Sequence, residues 1–108
     1  MPDLTADPLR WSVADLVGAF RAGTLSPVEL LESSLSRIGD VDDEVHAYVQ
    51  STADLARQQA EAAAEAYRVG DAGPLAGVPV SVKDAFHLAG YPTTLGSLRH
   101  VDDVAEVD

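Results

Sequence analysis

The sequence contains no cysteine and a single lysine, and both shortages limit the chemistry available to it. Without cysteine, its 108 residues can form no disulfide, no thiolate zinc site and no cysteine nucleophile. No apolar run approaches the ~20 residues that are needed to cross a bilayer. The first residues, Met-Pro-Asp, are neither basic nor apolar, so no secretory signal is visible and we expect a cytoplasmic protein.

Positive charge is also scarce. Lys and Arg number 7 against 18 Asp and Glu, which gives a formal net charge of −11. Polyphosphate and anionic lipid repel such a chain, so we expect neither nucleic acid nor a membrane as a partner. Hydrophobic residues (46%) and charged residues (23%) occur in ordinary globular proportions, which argues against disorder throughout. The length predicts one small domain with a radius of gyration of roughly 13 Å.

Capping residues predict two helices near the start of the chain. Ser12 is an N-cap ahead of a helical apolar pattern, and Gly23 is a stop signal. Ser26 opens the second helix with a capping box, and Gly39 is expected to end it. Two such helices in tandem are predicted to pack as a hairpin. Residues 1–11 are interpreted as a loosely ordered lead-in segment.

An acidic turn, a short strand and a third helix are predicted next. Residues 40–44 carry four carboxylates, but they lack the turn glycine and distal glutamate of a calcium loop, so a solvated turn is favoured. Residues 45–50 alternate in polarity, which is typical of a strand. Ser51 caps an alanine-rich helix that Gly70 ends.

The single lysine follows a run of alternating valines. Residues 78–83 are predicted to form a strand, with Pro79 at an edge or bend. Lys83 ends this run, ahead of Asp84 and a glycine-punctuated loop, where α/β enzymes place reactive groups. A lysine accepts a proton only as the neutral amine, which burial favours. The alternative is a solvated lysine or one that pairs with Asp84.

Three stretches of the sequence carry a family resemblance. Residues 73–84, which read G-P-L-A-G-V-P-V-S-V-K-D, resemble the strand with the catalytic lysine in the amidase signature family. The T-T-L-G-S run at residues 93–97 matches the continuation of that motif. Upstream, residues 26–31 and 45–49 resemble the N-terminal helix pair of the family and the strand after it.

This resemblance implies a fold. The fold class would be α/β, with N-terminal helices and the first strands of a mixed sheet core flanked by helices, in truncated form. Residues 12–108 would form the N-terminal part of an amidase signature domain, incomplete, after the lead-in segment of residues 1–11.

The resemblance also implies a mechanism. In that family a neutral lysine takes a proton from a bridging serine held by a cis peptide, and that serine activates a nucleophilic serine. The nucleophile attacks an amide carbonyl and forms an acyl-enzyme, which water releases as the acid. Lys83 would be the base of this triad. The substrate would be a small-molecule amide, no cofactor would be needed, and a homodimer is an allowed arrangement.

The sequence departs from the family in its serines. The glycine- and serine-rich signature that carries both triad serines is not among these residues. Ser33 and Ser34 lie inside a predicted helix without glycine neighbours, and Ser81 and Ser97 occupy positions unlike either triad serine. We therefore expect the chain to match roughly the first quarter of an amidase and to be inactive by itself.

Two alternatives to a plain amidase stay open. One is the amide-cleaving component of a glutamine-dependent tRNA amidotransferase, its A subunit, although the T-T-L-G-S run slightly favours the plain amidase. The other is a non-catalytic, acidic helical module that binds a partner through its apolar helix faces. The module would explain the charge but not the proline- and glycine-framed run that ends at the sole lysine.

Overall fold

Helices make up the regular structure of the described part of the chain. A computed structural model describes residues 5–108, in which irregular segments connect the helices. The elements in chain order are a 3-10 turn at Pro8–Arg10, α1 (Val13–Ala22), α2 (Pro27–Val45), α3 (Ala53–Val69) and a 3-10 turn at Leu98–His100.

The predicted caps of α1 and α2 and the predicted glycine ends of α1 and α3 are confirmed. The N-cap predicted at Ser51 is wrong, because Thr52 takes that position in α3 and its side chain makes no cap hydrogen bond. The hydroxyl oxygen of Ser12 accepts the amide N–H of the third residue of α1 at 3.1 Å. Ser26 and Glu29 form the full capping box, with reciprocal bonds of 3.1 and 2.9 Å. Gly23 (φ 73°) ends α1 and Gly70 (φ 78°) ends α3, both in the left-handed conformation that glycine adopts without penalty.

The predicted stop at Gly39 is wrong, because α2 continues through it to Val45. A glycine inside a helix costs only about 1 kcal/mol relative to alanine, which neighbouring helix formers outweigh. The acidic turn predicted at residues 40–44 is therefore the last part of a helix, and the strand predicted at residues 45–50 is not formed.

The side chain of Asp42, which lies within α2, stabilises the actual end of this helix. The carboxylate of Asp42 accepts the amide N–H groups of Ala47 at 2.8 Å and Tyr48 at 3.3 Å, just beyond the last turn. His46, between them and the helix, takes a left-handed φ of 53°. At least one carboxylate of residues 40–44 thus accepts hydrogen bonds that stabilise the C-terminal end of α2.

The hydrophobic core lies where α1, the start of α2 and the end of α3 meet. Leu16, Phe20 and Leu30 are buried together, and five partly buried side chains pack on them: Leu9, Trp11, Leu25, Tyr67 and Val78. The expected hairpin of α1 and α2 is not the main helix contact, because α2 packs chiefly on α3. The small buried side chains of Ala60 and Ala63 on α3 allow that approach.

Tyr67 connects the core to the irregular segment that follows α3. Its ring lies 5.5 Å from the ring of Phe20, tilted by 51°. Its hydroxyl donates to the carbonyl of Ala76 at 2.8 Å. Next to Ala76, Gly77 (φ 80°) packs so closely on Pro27 that a β-carbon there would lie 2.6 Å from Cγ of the proline.

The predicted α/β fold class is wrong for residues 5–108, which contain three α-helices and no strand or sheet. Residues 78–83 are irregular and unpaired, and the sole β-type pairing in the described chain is an isolated antiparallel bridge between Pro92 and Val104. A strand is defined by the ladder that it makes with a neighbour, and no segment of the described chain forms such a ladder with residues 78–83.

The segment predicted as a loose lead-in is partly packed. Residues 1–4 lie outside the described residues. Beyond them, Pro8–Arg10 form a 3-10 turn, and Leu9 and Trp11 contact the core. The proposed division at residue 11 stays a prediction.

The chain is more extended than its length predicts. Its radius of gyration is 15.5 Å, against the expected value of roughly 13 Å. Its accessible surface is 7735 Å², compared with about 5,700 Å² for a compact monomer of this mass. No helix between residues 5 and 108 has the length and apolar composition of a membrane span.

We expect Gly77→Ala to destabilise the chain by about 2 kcal/mol or more. The left-handed φ costs roughly 1–2 kcal/mol for a residue with a β-carbon, and the contact with the buried, rigid Pro27 ring adds to it. Urea unfolding followed by circular dichroism measures the loss.

Two glycine variants serve as controls for this prediction. Gly90→Ala has a similar φ of 86° but open space around it, so it should show the backbone cost alone. Gly73→Ala has neither feature and should change stability by less than about 0.5 kcal/mol. Equal losses for Gly77→Ala and Gly73→Ala would contradict the close packing on Pro27.

Candidate functional site

Lys83 lies at the end of the 78–83 segment, on the wall of a groove. The groove has a volume of about 450 Å³ and is lined by residues between 47 and 52 on one side and between 80 and 92 on the other. We call it the Lys83 groove. Its other polar and aromatic lining residues include Tyr48, Gln50, Ser81, Phe86 and Tyr91.

The side chain of Lys83 is exposed and unpaired. It takes part in no ion pair or side-chain hydrogen bond with any residue from 5 to 108. Its apolar neighbours do not bury it, since Val80 is 82% exposed and Phe86 is 67% exposed. The backbone is better defined, because the carbonyl of Lys83 accepts the amide N–H of Phe86 at 3.0 Å in a turn.

Asp84 bonds to Thr94 and forms no ion pair with Lys83. One carboxylate oxygen, Oδ1, accepts the amide N–H of Thr94 at 2.8 Å, and the other, Oδ2, accepts the threonine hydroxyl. The backbone carbonyl of Asp84 also accepts the amide N–H of Leu95 at 3.1 Å. Both side-chain oxygens of Asp84 therefore serve the T-T-L-G-S run.

These bonds lower the pKa of Asp84 below its ordinary value of 3.8. The hydroxyl of Thr94 is the largest cause, the amide N–H of Thr94 is the second, and the N–H of Gly96 adds to them, while desolvation opposes them. Hydrogen-bond donors stabilise the ionised carboxylate, which is the form that accepts. The folded loop therefore favours the charged form of Asp84.

The T-T-L-G-S run forms a tight turn that we call the Thr94 turn, residues 94–97. The amide N–H of Ser97 donates to the carbonyl of Thr94 at 2.9 Å. Leu95 (φ 53°) and Gly96 (φ 74°) both take left-handed conformations, and Gly96 also donates to the hydroxyl of Thr94 at 3.2 Å. Two consecutive positive φ angles are typical of a type I′ turn, in which glycine is the favoured second residue.

The preceding threonine anchors the same loop in another direction. Thr93 is buried, and its hydroxyl lies 2.8 Å from Nδ1 of His87. Its amide N–H donates to the carbonyl of Asp103 at 3.1 Å, beside the Pro92–Val104 bridge. The two threonines of the motif thus connect the loop to two different neighbours.

The serines named above form no catalytic pair with the lysine. Ser34 lies in α2 as predicted, where its hydroxyl donates to the carbonyl of Leu30 at 3.0 Å. Ser97 accepts the amide N–H of Arg99 at 3.3 Å and caps the last 3-10 turn. Ser81 lines the Lys83 groove without a hydrogen bond to Lys83. Over residues 5–108, no three His, Cys, Asp or Glu side chains come together as a metal site.

The role of Asp84 as the anchor of the Thr94 turn was not predicted from the sequence. The sequence predicts Asp84 only as an alternative ion-pair partner of Lys83. The signal that could have found the contact was the chemistry of the two motifs, because an aspartate beside the lysine and a threonine in a glycine turn are complementary acceptor and donor.

Comparison with known proteins identifies the family. The profile of the family described as Amidase matches residues 29–108. The A subunits of glutamyl-tRNA(Gln) amidotransferase from Streptomyces avermitilis and Salinispora tropica are 39% and 42% identical over 98 residues, which is 90% of this chain and 20% and 19% of theirs. That of Halorhodospira halophila is 43% identical over 86 residues, or 80% of this chain and 18% of its own.

The chain belongs to the amidase family, as the motifs in residues 73–84 and 93–97 predicted. It spans about a fifth of the length of the curated relatives that it matches. The family match includes Lys83, Asp84 and the whole Thr94 turn. The role of Lys83 as a base stays a prediction.

We expect the Thr94 turn to loosen in acid. Because the folded-state pKa of Asp84 is depressed, its carboxylate stabilises the turn fully above pH 3.8, and this contribution is lost as the pH falls through the folded-state pKa. The amide signal of Thr94 in a nuclear magnetic resonance titration from about pH 6 to about pH 2 should report the loss.

Asp84→Asn is the control for this titration. An asparagine does not ionise, so the Thr94 signal of the variant should depend little on pH in this range. A Thr94 amide signal that titrates equally in both proteins, or in neither, would contradict the assignment of the acid response to Asp84.

Proposed function

We propose that this chain supplies the lysine base of an amidase that cleaves a carboxylic amide C–N bond. One observation carries the proposal: the family match spans the K-D motif and the T-T-L-G-S run, and the lysine of that motif stands free on the wall of a groove. A solvent-accessible amine beside a groove can reach a substrate or a second catalytic group that enters it.

In the proposed reaction, the neutral amine of Lys83 takes a proton from a bridging serine. The bridging serine takes a proton from the nucleophilic serine, which forms a bond to the amide carbon. The C–N bond breaks, the amine leaves with a proton, and water then releases the acid from the acyl-enzyme. The glycine- and serine-rich signature that carries both serines is not among these 108 residues, so we expect this chain by itself to release no ammonia from amides.

A second candidate function is the corresponding role in an amidotransferase. The supporting observation is that the relatives named above are A subunits of glutamyl-tRNA(Gln) amidotransferases, at about 40% identity. The chemistry at the amide would be the same, but the released ammonia would pass to an acceptor. The net charge of −11 disfavours direct contact between this segment and a tRNA.

The remaining features of the proposal follow from this chemistry. The substrate is a small-molecule amide, the protein acts in the cytoplasm, and the serine–serine–lysine triad needs no cofactor. A homodimer is compatible with the proposal. The alternative of a non-catalytic acidic module gains no support from a family match that includes the lysine motif.

Lys83→Ala should lower amide cleavage by the full-length gene product to a small residual rate. Loss of a general base costs about 10²- to 10⁴-fold in rate, and an arginine cannot replace it because its guanidinium stays protonated. Lys83→Arg should therefore show a similarly small rate. Ammonia release from a panel of simple amides and from glutamine measures both variants.

Arg99→Ala is the matched control, since it also removes one positive charge from the same loop region but lies outside the Lys83 groove. It should keep nearly the full rate. Near-normal turnover by Lys83→Ala would overturn the base assignment, and a full-length product without amide-cleaving activity would overturn the proposed function.

The acceptor separates the two candidate functions. A plain amidase should release ammonia from simple amides at the same rate whether or not glutamyl-tRNA(Gln) is present. An amidotransferase component should prefer glutamine, and its partner proteins with glutamyl-tRNA(Gln) should raise the rate and divert nitrogen to the tRNA-bound glutamate. Nitrogen-15 from amide-labelled glutamine, followed into tRNA-bound glutamine, decides between them.

A further inference from the structure

We propose that Asp84 is a positioning residue for Lys83, acting through the Thr94 turn. The inference rests on the proposed function, because it concerns where the amine of Lys83 stands during amide cleavage. It assigns to the Asp84–Thr94 contact a role in the rate of the reaction.

Several hydrogen bonds converge on Asp84. Three acceptors of Asp84, its two carboxylate oxygens and its backbone carbonyl, receive donors from two consecutive residues, Thr94 and Leu95. Side chain and main chain thus bind the same turn, which leaves the backbone at residue 84 little freedom to rotate.

The Thr94 turn contains an unfavourable backbone conformation. Leucine in the left-handed region is disfavoured by its β-carbon, so Leu95 at φ 53° requires compensating contacts. The carbonyl of Asp84 accepts the amide N–H of Leu95 at 3.1 Å and supplies one of them. Asp84 therefore maintains a turn that would otherwise relax.

Lys83 lies directly before Asp84, at the start of a second turn. Its carbonyl accepts the amide N–H of Phe86 at 3.0 Å, so residues 83–86 form a turn that contains Asp84. No side chain of the described part of the chain bonds to the amine of Lys83 and orients it. The backbone consequently sets the point from which the Lys83 side chain enters the groove, and the contacts of Asp84 fix that backbone.

The position of Lys83 affects turnover because a general base must lie within hydrogen-bond reach of the proton that it accepts. A displacement of about 1 Å at a reacting group can cost about 10²-fold in rate. Both carboxylate oxygens of Asp84 are engaged by Thr94, so the residue acts on Lys83 through the backbone and not as a counter-ion.

The test uses the full-length gene product with glutamine and the panel of simple amides as probes. Asp84→Asn and Thr94→Val each remove part of the contact and should lower kcat by about 10- to 100-fold, with KM changed by less than about threefold. Thr94→Ser keeps the hydroxyl and should restore kcat to within about threefold of the original. Asp102→Asn removes the same charge from an exposed carboxylate elsewhere in the loop region and should have no effect.

A double variant distinguishes positioning from general destabilisation. If Asp84 acts through Lys83, Asp84→Asn should not lower the residual rate of Lys83→Ala any further, whereas a merely structural effect would persist in that background. Circular dichroism checks that each variant folds, and Thr94→Ser provides a folded comparison if Thr94→Val does not.

The outcomes separate the two hypotheses. Near-normal turnover by Lys83→Ala would remove the proposed function and this inference together. Loss of turnover in Lys83→Ala with a normal kcat in Asp84→Asn, or additive losses in the double variant, would overturn the positioning role alone.

Discussion

The place of the candidate site depends on Tyr67, because this side chain joins the helical core to the segment that carries the lysine. Its ring packs on Phe20, and its hydroxyl finds a partner in the carbonyl of Ala76, as a partly buried tyrosine hydroxyl requires. Gly77 then passes close to Pro27 at the start of α2. The 78–83 segment therefore starts from a fixed point on the helices, and the Asp84–Thr94 contact fixes its other end.

Helix boundaries were predictable where a local signal determines them. Ser12, Ser26, Gly23 and Gly70 cap or end helices through contacts within a few residues, and each prediction is confirmed. The helix end predicted at Gly39 was wrong because a glycine inside a helix weakens the helix without ending it. The strand predictions were wrong for a different reason. Alternation of apolar and polar residues describes the two faces of a segment, whereas a strand also requires a hydrogen-bonded neighbour. Residues 78–83 have no such neighbour in the described chain.

The site was predictable in part. The K-D and T-T-L-G-S motifs predicted both a candidate catalytic lysine and the family of the chain. The family match confirmed the family. The partner of Asp84 was not predictable from spacing, because Thr94 lies ten residues away across a loop whose path depends on left-handed residues. The exposure of Lys83 was not predictable from the sequence either, since burial depends on which segments pack over Val80 and Phe86.

The three helices and the 78–83 segment differ in whether their backbone hydrogen bonds can form during synthesis. Hydrogen bonds of α1, α2 and α3 join residues close in sequence, so these helices can form while the ribosome is still adding residues at about 5–20 per second. Val80 and Val82 make no backbone hydrogen bond through their N–H groups with any described residue. Changes in the helices should therefore alter how much protein accumulates in the cell, whereas changes between residues 83 and 96 should alter the rate of the proposed amide cleavage.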